Sequence, residues 1–279
     1  TDTVELTDLS TFELLAQKFA SIYKTEVEIL GTHKYQTKLS DAFIDPSEKI
    51  NIIVYDINYD SKADQNYGVF GLFYNADCYK QSSLNEQYKS NETQCIYVDS
   101  YFLSNYQNMT YSTLAHEFNH LLNFCQKTII HGVGYSTWFT EMLAMLAEDM
   151  CQNILDISDK ESSKGRLIDF IKYHNYGFTT IWNMSSEDKT IAQMITLSSY
   201  ANTYAYGAYL VRNFGGFELL KDLATNQYVD EEAIDYALKN SYNKEKEQID
   251  SFSNSSLYFH QVFLDLIFTN PYYSFNKKI

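Results

Sequence analysis

The segment Thr113–Gln126 limits the possible folds more than any other part of the chain. It contains no proline or glycine and is built largely from Leu114, Ala115, Phe118, Leu121, Leu122 and Phe124, so it reads as a buried helix. Within that apolar run stand His116, Glu117 and His120, in the order H-E-x-x-H. Residues four apart share one face of a helix, so both imidazoles can grip one ion, and zinc takes such ligands tetrahedrally. Glu117 projects beside them, where a carboxylate can take a proton from a water that a metal has made acidic. Ionisable groups in so apolar a helix are costly unless something compensates them, and a bound cation would. The competing reading is a chance motif on a helix surface, because the pattern leaves positions free.

A third ligand is required, and the next apolar helical segment, Thr137–Asp149, offers one. Glu141 is the only acid in its first half. It is an exposed carboxylate favoured by the helix dipole, or a buried acid with a partner. Its neighbours Trp138, Phe139, Met142, Leu143 and Met145 favour the second. His116, His120, Glu141 and a water already fill a tetrahedral shell, which leaves His131 as a loop histidine.

Charge excludes some partners. A formal net charge of −15 lacks the basic patches that nucleic acid and anionic membrane surfaces demand. No apolar run reaches the ~20 residues of a membrane-spanning helix. With 45% hydrophobic and 20% charged residues the chain is globular, and its 279 residues suffice for one large domain or two lobes. It begins at Thr1 without an initiator methionine, as a mature or trimmed chain does, so the lack of a leader does not argue against export. None of Cys78, Cys95, Cys125 and Cys151 forms a C-x-x-C pair, which argues against a cysteine zinc site. Cys78 and Cys95 flank a polar loop, and spacing leaves open whether they are bridged or all four are buried thiols.

Leu9–Lys24 reads as an amphipathic helix capped by Ser10 or Thr11, and Val27–Leu30 either continues it or extends as a strand. Ile50–Ile57, Gly68–Tyr74 and Cys95–Ser100 read as strands, and Asn105–Ser112 as a polar link. In a peptidase, Gly68–Tyr74 is the candidate edge strand for pairing with an extended peptide. Asp56, Asn58, Asp60 and Asp64 resemble half of a calcium loop. Ser61 and Tyr67 stand where such a loop needs glycine and glutamate, so a polar turn is the better reading and calcium the lesser one. Ile129–Ser136 reads as a loop. Helical periodicity then runs through Gly165–His174, Thr190–Thr196, Tyr204–Phe214, Phe217–Ala224, Asp230–Asn240 and Ser256–Phe268. The expected class is α+β: an N-terminal mixed α/β lobe, 1–127, with a small sheet and the metal helix, and a helical C-terminal lobe, 128–279, carrying the third ligand. The two would form one catalytic domain.

His-Glu-Phe-Asn-His followed by Trp-Phe-Thr-Glu-Met-Leu-Ala resembles the gluzincin clan of zinc metallopeptidases, with Thr140 and Met142 in place of the usual asparagine and glycine. Within that clan the chain is most similar to the hyicolysin-type neutral metallopeptidases. The likeness spans roughly residues 50–216 and takes in Val54-Tyr55-Asp56, Gly68–Phe73 and a Tyr-x-x-Gly element ahead of Asn213-Phe214-Gly215-Gly216. The resemblance implies a zincin-like two-lobed fold, zinc on His116, His120 and Glu141, and Glu117 as general base. It also implies that Tyr204 stabilises the oxyanion, with Tyr200, Tyr206 and His174 as rivals. It implies a secreted or cell-surface metalloendopeptidase that hydrolyses peptide or extracellular protein substrates. An aminopeptidase of the same clan and a non-catalytic zinc-containing binding protein are the alternatives. The first lacks the G-x-M-E-N-type segment here, and the second has no need of Glu117.

Overall fold

Helix α1 (Leu9–Leu30) opens the computed structural model, which describes residues 9–59, 62, 65, 67–240 and 249–269, with side chains as far as residue 261. The stripe Leu15, Ile22, Glu26 and Leu30 is buried and keeps helical spacing to the end, so Val27–Leu30 is helix and not strand. Ser10 and Thr11 therefore lie inside the helix rather than capping it. Gly31, at φ 93°, turns the chain out. The fold separates into two compact units, Thr1–Gly132 with Ala147–Gly165, and Val133–Leu146 with Arg166–Ile279.

The first unit holds a three-stranded sheet of β1 (Asn51–Tyr55), β2 (Gly71–Leu72) and β3 (Cys95–Asp99), in the order β1-β3-β2. β1 runs parallel to β3 with Ile53 opposite Tyr97; β2 runs antiparallel with Gly71 opposite Val98. The central strand β3 is buried throughout, as its run of Cys95, Ile96 and Val98 requires. β2 is shorter than its sequence suggests, because Phe70 stacks on Phe102 with centroids 3.9 Å apart and Asn75–Cys78 winds into a 3₁₀ turn.

All four cysteines are free thiols, so no bridge closes the loop between Cys78 and Cys95. Asp77 closes it instead. Its Oδ1 accepts the Asn91 N–H at 2.6 Å, its backbone carbonyl accepts from Thr93, and its Oδ2 accepts from the Tyr97 hydroxyl and the Cys95 thiol. Burial pushes the Cys95 thiol up to about 12, so it stays a protonated donor. The suggested calcium ligands Asp60 and Asp64, with Ser61, lie outside the described residues; Asn58 and Tyr59 adopt left-handed backbone at φ 66° and 52°.

β3 passes directly into α2 (Ser100–Asn105), because Asp99 accepts the backbone N–H groups of Tyr101 and Phe102 at 2.9 and 3.1 Å. Asp99 also takes the Ile57 N–H at 2.7 Å, which ties the end of β1 to the helix start. Helix α3 (Gln107–Asn123) follows and continues as a π-helical turn, Phe124–Ile130, that ends at Gly132 with φ 70°. The expected polar link Asn105–Ser112 is thus mostly helix: Gln107, Asn108 and Met109 form its wet first turn, while Thr110 and Ser112 are buried. Phe118 locks α3 onto α1, edge-on to Phe19 at 5.1 Å and stacked on Tyr23 at 5.6 Å.

Among the described residues the second unit is helical: the first turns of α4 (Thr137–Leu155), then α5 (Leu167–Tyr173), α6 (Lys189–Phe214), α7 (Phe217–Thr225), α8 (Asp230–Asn240) and α9 (Phe252–Thr269). Thr190–Thr196 and Tyr204–Phe214 merge into one helix. Ser198 and Ser199 return their hydroxyls to the carbonyls of Met194 and Ile195 at 2.6 and 2.7 Å, so the polar middle of α6 satisfies itself without leaving helical geometry. Asp188 caps its start by accepting from Thr190 and Ile191. Gly207 lets α6 approach α4: a Cβ there would sit 2.6 Å from Met142 Cγ. The smallness that the resemblance places at position 142 is supplied by the opposing helix. No described helix is long and apolar enough to cross a membrane.

Candidate active site

Helix α3 carries His116, Glu117 and His120 on a stretch whose other side chains are packed away. Leu114, Ala115, Phe118, Leu121 and Leu122 are all fully buried, so the motif rests on a fixed backbone. The imidazoles of His116 and His120 stand edge-on with centroids 4.7 Å apart. Glu141, in the first turns of α4, offers its carboxylate to the same point: one ligand atom from each of His116, His120 and Glu141 lies within 4.8 Å of the others. Among the described residues this is the one such grouping. Glu141 is half-buried rather than enclosed, although Phe139, Met142, Leu143 and Met145 around it are fully buried. Two imidazoles and one carboxylate make a donor set that suits zinc with one position left open.

Glu117 is 8% exposed, and β2 lies against it. A Cβ built on Gly71 would meet the Tyr97 carbonyl oxygen at 2.8 Å, Thr113 Cγ2 at 3.0 Å and Glu117 Cγ at 3.4 Å. A glycine at this point of β2 lets the strand reach the helix face that carries Glu117.

Two further acids near the motif escaped the sequence reading. Glu148 accepts from His116 Nδ1 at 2.7 Å through one oxygen and from the Ser112 hydroxyl at 2.8 Å through the other. It follows Glu141 by two helical turns on the same face of α4, and that spacing is the signal that could have revealed it. Glu26 sits in the apolar stripe of α1, wholly buried, with the Cys151 thiol 3.8 Å from its Oε1. Burial pushes its carboxyl well above the ordinary range, against smaller opposing pulls from Cys151 and His116.

Tyr204 is fully buried in the middle of α6. Its rivals have visible packing roles. Tyr206 gives its hydroxyl to a hydrogen bond with Ser255 at 2.7 Å and stacks on Phe178 at 4.0 Å. Tyr200 lies under the Arg166 guanidinium and against Trp182. His174 Nδ1 is 3.0 Å from the Ile171 carbonyl. His131 follows the π turn, outside the ligand grouping.

The chain is 29% identical over 221 residues to the neutral metalloprotease ShpI of Staphylococcus hyicus, a match covering 74% of this chain and 46% of that protein. The chain thus spans about half the length of the curated relative it matches. The model of the Peptidase M30 family matches residues 8–256, nearly the whole of the described fold. The chain belongs to the M30 peptidases, the hyicolysin-type metallopeptidase family.

Proposed function

We propose that this chain is a zinc-dependent metalloendopeptidase that hydrolyses peptide bonds of extracellular proteins. The observation that carries the reading is the convergence of the His116, His120 and Glu141 ligand atoms within 4.8 Å, with Glu117 on the same helix as the two histidines. His116, His120 and Glu141 would hold the ion, which when bound supplies Lewis acidity toward a water and the scissile carbonyl. Glu117 takes the proton of that water and hands it to the departing amine. Tyr204 donates its hydroxyl to the charge that grows on the carbonyl oxygen. β2, an edge of the sheet with Gly71 against Glu117, pairs with the extended substrate backbone. The proposal keeps a zincin-like division into an α/β lobe, 1–127, and a helical lobe, 128–279. It also includes action outside the cell or at its surface, in keeping with the net charge of −15.

Glu117→Gln tests the mechanism. The variant should bind one zinc per chain and cleave a blocked peptide about 10²- to 10⁴-fold more slowly. A variant that cleaves at the wild-type rate removes Glu117 from the chemistry. Efficient cleavage of a peptide blocked at its amino end, abolished by chelator, separates an endopeptidase from an aminopeptidase.

A further inference from the structure

We propose that Glu148, steadied by Ser112, is the positioning residue that fixes the His116 ring for metal binding. The inference rests on the zinc reading above and deepens it. Ser112 and His116 are one turn apart on α3, and the Glu148 carboxylate meets both, one oxygen to each, at 2.8 and 2.7 Å. Serine, glutamate and histidine are 2%, 5% and 7% exposed, so water does not compete for these bonds. An ionised carboxylate only accepts, so the proton between it and the ring belongs to Nδ1. A neutral ring protonated at Nδ1 carries its lone pair at Nε2, the atom that would then ligate a metal. The opposite tautomer would set two acceptors against each other at 2.7 Å in a buried site. Ser112 occupies the second carboxylate oxygen and stops the group from rotating away. Glu148 and Glu141 share one face of α4, so one helix carries both a candidate ligand and the clamp on another.

Zinc affinity of the full chain, read by competition with a chromophoric chelator, tests this without reference to turnover. Glu148→Gln keeps the size of the side chain and removes its charge; it should weaken zinc binding about 10- to 100-fold. Ser112→Ala, which leaves the carboxylate in place but unsteadied, should weaken it by a smaller factor, about three- to tenfold. In a His116→Ala background, Glu148→Gln should have no further effect, because its action runs through that ring. Zinc affinity within twofold of wild type in both single variants, with only the melting temperature of the metal-free protein lowered, would mark Glu148 as a packing support and overturn the proposal. An additive loss in the His116→Ala background would overturn it equally. Wild-type protein that takes up no zinc sinks the zinc reading itself, and this inference with it. Should Glu148→Gln fail to fold, Ser112→Ala decides alone.

Discussion

Gly71→Ala puts the junction of strand and active helix under the most direct strain. The new Cβ would lie 2.8 Å from the Tyr97 carbonyl oxygen, 3.0 Å from Thr113 Cγ2 and 3.4 Å from Glu117 Cγ. The first contact is with backbone of the central strand, so no rotamer change relieves it, and β2 must retreat by a few tenths of an ångström. Gly71 and Leu72 pair β2 with β3, and beside them the Asp99 N–H donates to the Phe70 carbonyl at 2.9 Å, so a short ladder resists that retreat. Overpacking of this kind costs about 1–3 kcal/mol, or roughly 5- to 150-fold in the folding equilibrium. The same displacement presses on Glu117. Misplacing a reacting group by 1 Å costs ~10²-fold, so a shift of a few tenths should slow peptide cleavage about tenfold. The control is Gly134→Ala, where an added Cβ meets nothing within 4 Å. Urea unfolding followed by circular dichroism gives the stability, and kcat on a blocked peptide gives the activity. If Gly71→Ala unfolds within 0.5 kcal/mol of Gly134→Ala, by the order of magnitude used here, and cleaves as fast, the strand does not bear on Glu117 as argued.

Phe118→Ala should destabilise the first unit by about 3–5 kcal/mol in urea unfolding, because the fully buried ring loses both Phe19 and Tyr23. A loss under about 1 kcal/mol would mean that α1 is not held through this ring. Glu26 has a folded-state pKa above its unfolded value of about 4.5, so the folded protein holds a proton that the unfolded chain releases. Its contribution is full below that pH and is lost as pH rises, by up to about 1.4 kcal/mol per pH unit, so Glu26→Gln should gain stability relative to wild type between pH 5 and pH 8. Parallel stability curves for the two proteins would place a solvated carboxylate at Glu26. Reducing agent should leave the melting temperature unchanged, since Cys78, Cys95, Cys125 and Cys151 are free thiols; a drop of several degrees would reveal a bridge.

What the sequence makes legible is what repeats locally. Helix periodicity places α7 and α8 almost to the residue and finds α1, α3 and α4 while leaving one end of each short, because each buries a stripe whose spacing is written in consecutive turns. β3 was legible for a similar reason: five consecutive residues, Cys95–Asp99, are all buried. Legibility failed where polar residues sit inside a helix and satisfy themselves. Ser198 and Ser199 in α6 and Ser112 in α3 look like loop residues until their hydroxyls are seen to bond within the helix or to Glu148. The bridge between Cys78 and Cys95 was an open reading for the opposite reason. Loop spacing reports proximity, and Asp77 meets the same geometric need with hydrogen bonds to Tyr97, Cys95 and Asn91.

The site divides along the same line. His116, Glu117 and His120 announce themselves because one helical turn sets their relation, and Glu141 because an acid stands alone among apolar neighbours. Glu148 and Glu26 are not legible in this way, since each owes its meaning to a partner far off in the chain: Ser112 and His116 lie 36 and 32 residues from Glu148, and Cys151 lies 125 residues from Glu26. Burial gives the two acids opposite fates. Glu148 has both oxygens met by hydrogen-bond partners, the Ser112 hydroxyl and His116 Nδ1. Among the described residues Glu26 has one oxygen without a partner and a weak thiol on the other, so burial favours its protonated form. A glutamate in a buried helix is therefore a clamp or an inert neutral group according to how many donors face it, and composition alone does not distinguish them.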